Sequence, residues 1–571
     1  MQLSTCLPTF PGAVGFGSET VAGRSGTVFK VTSLADSGPG TLRAALDADA
    51  ASRTVLFDIG GTITVTTPLV VPDRTTIAGQ SAPADSGGIT IRADPSLGSQ
   101  TMTISGSDVL VRFLRFRRGA STAPTCCGDN VLVYETSNVV LDHLSVSWAV
   151  DENINSWGGA SNITLSNSLS AEALYDSSHE KGPHSMGLLF GNGRNCTVVR
   201  SLFTKNVGRN PQMDLVTGIE VVNNFIASTT NTIQLVNREF PPTTVFDVDA
   251  TEANVVGNRF DHHSTRNGVL VSLYDNPYKL YVKDNIGCQR TSTTQPETDI
   301  VGNSINSDDP PANFYVSVPN NLPTRTLDEG NLLTHDQVEA HVLAHSGCTR
   351  PVRDAVDIRL VADVAAGGDL GRIDDPSDVG GWPNLAAGTP RTDTDGDGIP
   401  DDFEAKLGTS PSNAADGAIV TASGYTNLEL WLNSAELLGD DYVEIPGAPA
   451  VPPAGTSNPT PTSSGDNPNQ PGGGTTFTAG PTATTTAAPG DSAGGVRDEP
   501  SSTSEANGDD LVPLYIVIAV LAVLVVILAV GVAYYRARAS PARAAPYHSN
   551  ATGGTRLSAG ARRRSSNYRR A

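Results

Sequence analysis

The sequence predicts an all-β chain folded as a right-handed parallel β-helix, and three observations carry that reading. First, β-branched runs recur: "NVVLDHLSV" from 138, "NITLSNSLS" from 162, "NCTVVRSLF" from 195, "GIEVVNNFI" from 218, "ANVVGNRFD" from 253 and "KLYVKDNIG" from 279. Each is an apolar strand, one or two polar residues and a second apolar pair. Second, the polar positions Asp142, Asn167, Arg200, Asn223, Asn258 and Asp284 recur every 23–35 residues. That is a solenoid period, whereas the turns of a β-sandwich recur every ~8–12 residues. Third, no amphipathic helical pattern separates the strands between 100 and 290, which disfavours strand–helix–strand units. Coils stacked about 4.8 Å apart would align those polar positions in one turn column, with Asn side chains hydrogen-bonding from coil to coil.

The remaining elements follow from composition. The chain has 571 residues, too many for one compact core. We divide it into a β-helix domain over 10–350, a cap segment over 351–390 and a calcium-loop module over 391–438. Residues 439–510 form a Pro/Thr/Ser/Gly-rich stalk with too few apolar side chains to fold. Residues 511–535, "LVPLYIVIAVLAVLVVILAVGVAYY", carry no charge and are long enough to span a ~30 Å hydrocarbon layer. The 536–571 tail carries nine arginines and no acid, so the positive-inside rule places it in the cytoplasm and the rest outside. Removing those nine charges from the formal −22 leaves about −31 on the outer part, which argues against nucleic acid as a partner. A single-pass protein of this orientation needs a signal sequence, and "MQLSTCLPTF" lacks a basic start and an apolar core. We therefore expect an incomplete N-terminus, and a monomer. Six cysteines fit an oxidising compartment. The adjacent pair Cys126–Cys127 is not expected to bridge to itself. Asn162 and Asn195 lie in N-glycosylation tripeptides.

Chemistry-bearing residues gather in a few stretches. Asp142, Asp151, Glu152 and Glu172 recur on successive coils, and clustered carboxylates require a neutralising cation. A Ca²⁺ ion suits Asp142 and Asp151, with the Asn155 amide oxygen as a further ligand. Lys181 and Arg209 follow downstream, Arg209 on the proline-stiffened corner "VGRNPQMD". His143 and His184 have no motif-linked Ser or Cys partner for nucleophilic chemistry. An Asp142/Glu172 pair leaves acid-catalysed glycoside hydrolysis as an alternative. Further on, "DTDGDGIPDDFE" over 393–404 fits the calcium-loop pattern D-x-D-x-D-G-x₅-E. Its expected ligands are Asp393, Asp395, Asp397, the Ile399 carbonyl, Asp401 and Glu404, in a single-loop version that clamps the C-terminal cap.

Taken together, "FPGAVGFG" (10–17), "SLADSGPGTLRAAL" (33–46), "TIAGQSAP" (76–83), "VLVRFLRFRRG" (109–119), "LDHLSVSWAVDE" (141–152), "SSHEKGPH" (177–184) and "GRNPQ" (208–212) resemble the pectate lyases of polysaccharide lyase family one. The likeness covers roughly 10–437. It extends to "RDAVDIRLVADV" (353–364), "VGGWP" (379–383) and "GYTNLELWLN" (424–433), found in a microbial branch. The resemblance implies a parallel β-helix, Ca²⁺ dependence and eliminative cleavage of polygalacturonate. It also implies that Asp142 and Asp151 are calcium carboxylates, that Lys181 and His184 contact substrate, and that Arg209 is the catalytic arginine of an Arg-x-Pro motif. Two positions depart: Asn155 stands where the family often has another acid, a missing charge for which Glu152 compensates, and where the better-known form of the motif has a second arginine, this chain has Asp214. An arginine acting as base, with a reference pKa above ~12, implies an alkaline optimum. The alternative function is a tethered β-helix that binds acidic polysaccharide without cutting it.

Overall fold

The structure is a computed structural model that describes residues 7–448, apart from 238–250, 262–267, 274–277, 304–313, 329 and 369–370. The stalk beyond 448, the apolar segment 511–535 and the basic tail lie outside the described residues. Among the described residues no helix is long and apolar enough to cross a membrane.

Strands pair in parallel, three to a coil. One coil runs Val131–Tyr134, Ser137–Asp142 and Ser145–Ser147. The next runs Glu152–Trp157, Ser161–Ser166 and Leu169–Ala171, each strand in parallel register with its predecessor. Alternate side chains point inward, as strand geometry dictates: Val131, Val133, Val139, Leu141, Leu144 and Val146 are all fully buried in one continuous core. The two long strands Met186–Val199 and Gln212–Val222 cross from the first face to the second without a break. They thereby merge two faces into one 17-stranded network beside an 8-stranded third face. All six sequence repeats lie on such strand–corner units.

The turn column is present, but its register differs from expectation. Residues with left-handed backbone at this corner are Phe113, His143, Asn167, Arg200, Asn223, Gly257 and Asp284, so Asp142 and Asn258 sit one place off it. The coil-to-coil ladder uses the next position. Ser168 N donates to Ser201 Oγ at 3.1 Å, Ser201 N to Asn224 Oδ1 at 2.9 Å, Asn224 N to Asn258 Oδ1 at 3.0 Å and Asn258 N to Asn285 Oδ1 at 3.0 Å. A second ladder runs along another corner, where Asn162 Nδ2 donates to Asn138 at 3.0 Å and Asn195 Nδ2 to Asn162 at 2.9 Å. The amide nitrogens of both glycosylation tripeptides are thus engaged in the scaffold, each bond contributing about 1 kcal/mol.

Outer surfaces of two faces are covered. The third face is capped by the helices His335–His345 and Ala355–Ala365, which pack Val338, Val342, Val356 and Leu360 on Trp148, Leu169 and Leu202. The buried Arg117 from "FLRFRRG" reaches Asp354 at 2.9 Å and Asp357 at 2.8 Å at the start of the second helix, which ties two of the family-like blocks together. The second face receives Phe10, Ala13 and Val14 of the N-terminal segment and Ile399, Phe403 and Trp431 of the C-terminal module. Contrary to expectation, Cys126 and Cys127 are bonded to each other.

Candidate active site

The candidate site grows from one edge of the first face, where the chain turns from the third face into Val131–Tyr134, Glu152–Trp157, Met186–Val199 and Gln212–Val222. These turns place Asp129, then Asp151 and Glu152, then the loop holding His179, Lys181 and His184, then Arg209, on neighbouring coils. Ligand atoms of Asp129, Asp151 and Glu152 lie within 4.8 Å of one another. The buried Asp129 accepts from Glu152 N at 3.0 Å and from Asn155 Nδ2 at 3.1 Å. Burial, reinforced by the charge of Asp151, pushes its carboxyl above the usual range. Asn155 Oδ1 is buried without a hydrogen-bond partner.

Three side chains of basic type face these acids. Arg209, with left-handed backbone at φ 59°, pairs its guanidinium with Glu152 and donates its backbone N–H to Gln234 Oε1 at 3.0 Å. His184 Nε2 lies 2.8 Å and His179 Nε2 3.7 Å from the Asp151 carboxylate, and the two imidazoles stack at 3.8 Å. Burial and then the neighbouring His184 hold His179 below its ordinary pKa. Lys181 is exposed on the same loop, its backbone N–H donating to His179 Nδ1 at 3.2 Å.

"Probable pectate lyase C" of Aspergillus flavus is 34% identical over 440 residues, which cover 76% of this chain and 95% of the relative. The protein of the same name from Neosartorya fischeri is 35% identical over 439 residues, with the same coverage. The chain belongs to the pectate lyase family. No family model matches it. Among solved structures it is similar to "jun a 1, the major allergen from cedar pollen", at 17% identity and a TM-score of 0.42, over 59% of this chain and 93% of that one.

Within the family frame, several expected residues come together and two do not. Asp151, Glu152, Asn155, Lys181, His184 and Arg209 share the edge just described, although Glu152 is engaged with Arg209. Asp142 does not join them. Asp142 lies only nine positions before Asp151, but strand Ser145–Ser147 and two corners intervene, and Asp142 turns toward the opposite edge. There it is fully buried, held by Arg112 Nε at 2.8 Å, His143 Nδ1 at 2.7 Å, Ser166 Oγ at 2.7 Å and Asn167 Nδ2 at 3.0 Å. Burial alone would raise its pKa; the charges of His143 and Arg112 outweigh that and lower it. The Asp142/Glu172 pair also dissolves, because Glu172 is held by both Arg359 terminal nitrogens at 2.7 Å.

Sequence reasoning missed Asp129, His179, Gln234 and Trp157. Asp129 lies in "CCGDN" two residues before a strand, at the register position of Glu152 one coil on, and that was its available signal. Trp157 lies over Gly191: a Cβ there would sit 2.1 Å from the indole. Asp214 follows on the same outward column, in register with Gly191, and is buried beside Gln212.

At the C-terminal module, Asp393, Asp395 and Asp397 form one carboxylate group, and Asp397, Glu404 and Asp416 a second. Asp401 stands outside both, accepting from Thr394 N at 2.8 Å and Thr394 Oγ1 at 2.7 Å. Ile399 is buried in the docking core, its N–H donating to Asp397 Oδ1 at 2.8 Å. Burial first and neighbouring carboxylates second push Glu404 up to about 7 and Asp397 up to about 6.

Proposed function

We propose that the chain cleaves polygalacturonate by calcium-dependent β-elimination, and that the observation carrying this is Arg209 facing the Asp129/Asp151/Glu152 cluster on the open face of a pectate lyase-family β-helix. The solenoid is read as right-handed, the hand parallel crossovers take. The all-oxygen donor set and the orphaned buried Asn155 Oδ1 fit a hard cation. Asp129, Asp151 and Asn155 would hold it. When bound, Ca²⁺ supplies charge that screens these acids from a uronate polymer and acidifies the proton on C5.

The remaining work falls to side chains of the chain. Lys181 neutralises the uronate carboxylate. His184 and His179 orient Asp151. Arg209, released from Glu152 in its neutral form, takes the C5 proton; the C5–H electron pair becomes the C4–C5 double bond, the C4–O bond breaks, and the leaving oxygen takes a proton from water. Deprotonating a guanidine at pH 7.5 costs roughly 7 kcal/mol, so the rate should rise toward alkaline pH. Ultraviolet absorbance of the unsaturated uronate on polygalacturonate with Ca²⁺ tests the reading: a rise supports it. The second reading, a non-catalytic binder of acidic polysaccharide, is favoured by Asp214 in place of a second arginine, and retained binding without absorbance would establish it. We also propose that 511–535 anchors the chain with 10–438 outside; recovery in the soluble fraction of the full-length protein would refute this.

A further inference from the structure

The carboxylates of the C-terminal module have no part in the groove chemistry. Glu404 is fully buried, and both of its carboxylate oxygens lack a hydrogen-bond partner, as do Asp395 Oδ2, Asp397 Oδ2 and Asp416 Oδ1. Asp397 and Asp416 are themselves only 6% exposed. Buried, unpartnered carboxylate oxygens that converge are strongly unfavourable when ionised, and a bound cation relieves that repulsion.

We propose that the module binds calcium in a two-segment site, with Asp416 supplying the side-chain oxygen that the loop pattern assigns to Asp401, and that the ion fastens the module to the first coils of the solenoid. The site takes Asp393, Asp395, Asp397 and Glu404 from the loop and Asp416 from beyond it. So many carboxylates with few other donors suit a hard ion of high coordination number, which is Ca²⁺ rather than Mg²⁺. Fastening follows from what flanks the ligands. Ile399 and Phe403, within the same loop, are buried against Leu56, Ala78 and Leu428. Gly398 takes φ 100°, and a Cβ there would sit 2.7 Å from Leu56, so the loop backbone rests directly on the solenoid. Lys30 of strand Thr27–Val31 pairs with Asp393. Shaping the loop around an ion and seating it on the solenoid are therefore one event.

The proposal does not depend on the groove reading, and its test keeps the two apart. Calcium titration calorimetry and thermal unfolding, with and without chelator, are run on the full chain in an Asp151→Ala background, which silences the groove. Asp416→Asn should weaken the remaining site at least ~10-fold and abolish the calcium-induced rise in Tm, while leaving Tm in chelator unchanged or higher because repulsion is relieved. Asp401→Asn should keep both affinity and Tm increment within about twofold. The assignment is overturned if Asp416→Asn retains affinity, or if Asp401→Asn loses it. It is equally overturned if Asp416→Asn lowers Tm in chelator but keeps the increment, since that pattern marks a structural role through Ser410 N, which Asp416 accepts at 2.9 Å.

Discussion

Arg209 and Asp142 show how differently two charged side chains of one solenoid are used. Arg209 is half-buried at the edge of the open face; Asp142 is sealed within a corner. Arg209→Lys keeps the charge but loses the planar fork and its reach. The interaction should matter mainly in the transition state, so kcat should fall at least ~100-fold, about 2.7 kcal/mol, with KM and Tm little changed. An Arg209→Lys enzyme as fast as wild type on polygalacturonate would remove the guanidinium from the mechanism. Asp142→Ala leaves Arg112 buried without its acid and His143 with Asp441 alone, and should cost about 3–5 kcal/mol in urea unfolding while sparing groove calcium binding. Asp129→Ala should do the reverse: at least ~10-fold weaker calcium binding by calorimetry, and no loss of metal-free stability, because one of two repelling acids is gone.

Among the elements, strand Glu152–Trp157 joins scaffold to site: Ile154 lies in the core, Asn155 reaches Asp129 and Trp157 covers Gly191. Gly191→Ala should push the indole away from the groove floor and raise KM for polygalacturonate severalfold with kcat nearly intact; an unchanged KM would show that Trp157 contributes nothing to binding. The strands themselves were legible from sequence, because alternating apolar residues and repeating corners leave a periodic trace. The site was legible in part. Arg209 and Lys181 belong to blocks with a recognisable order, whereas Asp129, the ligand proposed above, sits beside a strand that no acid motif marks. The Asp142 error has a physical origin: in a solenoid, nine residues suffice to move from one edge to another, while residues a whole coil apart come into contact. Asp416 was hidden for the same reason, since a linear pattern cannot see a ligand contributed by a second segment. Asp401 fits the pattern by residue type, yet Thr394 claims its oxygens first.

For the whole molecule, the corner behind the groove sets the response to pH. Burial would lower the pKa of His143, but Asp142 and Asp441 outweigh it and raise the pKa above its ordinary value. The ring stacks on Phe113 at 4.5 Å. The other charged or titratable groups lining this corner are Arg112, Arg200, His341, His345, Asp440 and Tyr442; His341 is pushed down to about 4, chiefly by burial, and is neutral above that range. A raised histidine stabilises fully below its unfolded pKa of ~6.5, and that stabilisation disappears as pH rises through the folded value. Chemical denaturation should therefore show stability declining on the alkaline side of neutrality, and His143→Gln should flatten that decline. A decline of equal slope in the variant would assign it to other groups. Activity rising toward alkaline pH and stability falling there would together confine the working window from both sides.

The ion pair between Arg24 Nε and Glu429 Oε1, 2.7 Å across 405 positions of sequence, has a bearing on how the protein is made. Most coils need only their immediate neighbours and can form as soon as they leave the ribosome. The N-terminal segment and the first coils cannot be finished that way, because Leu56 and Ala78 are covered by Ile399, Phe403 and Trp431, which are synthesised much later. At roughly 5–20 residues per second the gap between Arg24 and Glu429 lasts on the order of 20–80 s. During that interval the growing chain presents an apolar patch on a row of otherwise assembled strands, a natural landing place for a chaperone and a point of self-association if none arrives. Residues of the C-terminal module thus act as the seal on the first coils, and premature termination anywhere before Ile399 should yield an aggregating product rather than a shortened, soluble enzyme.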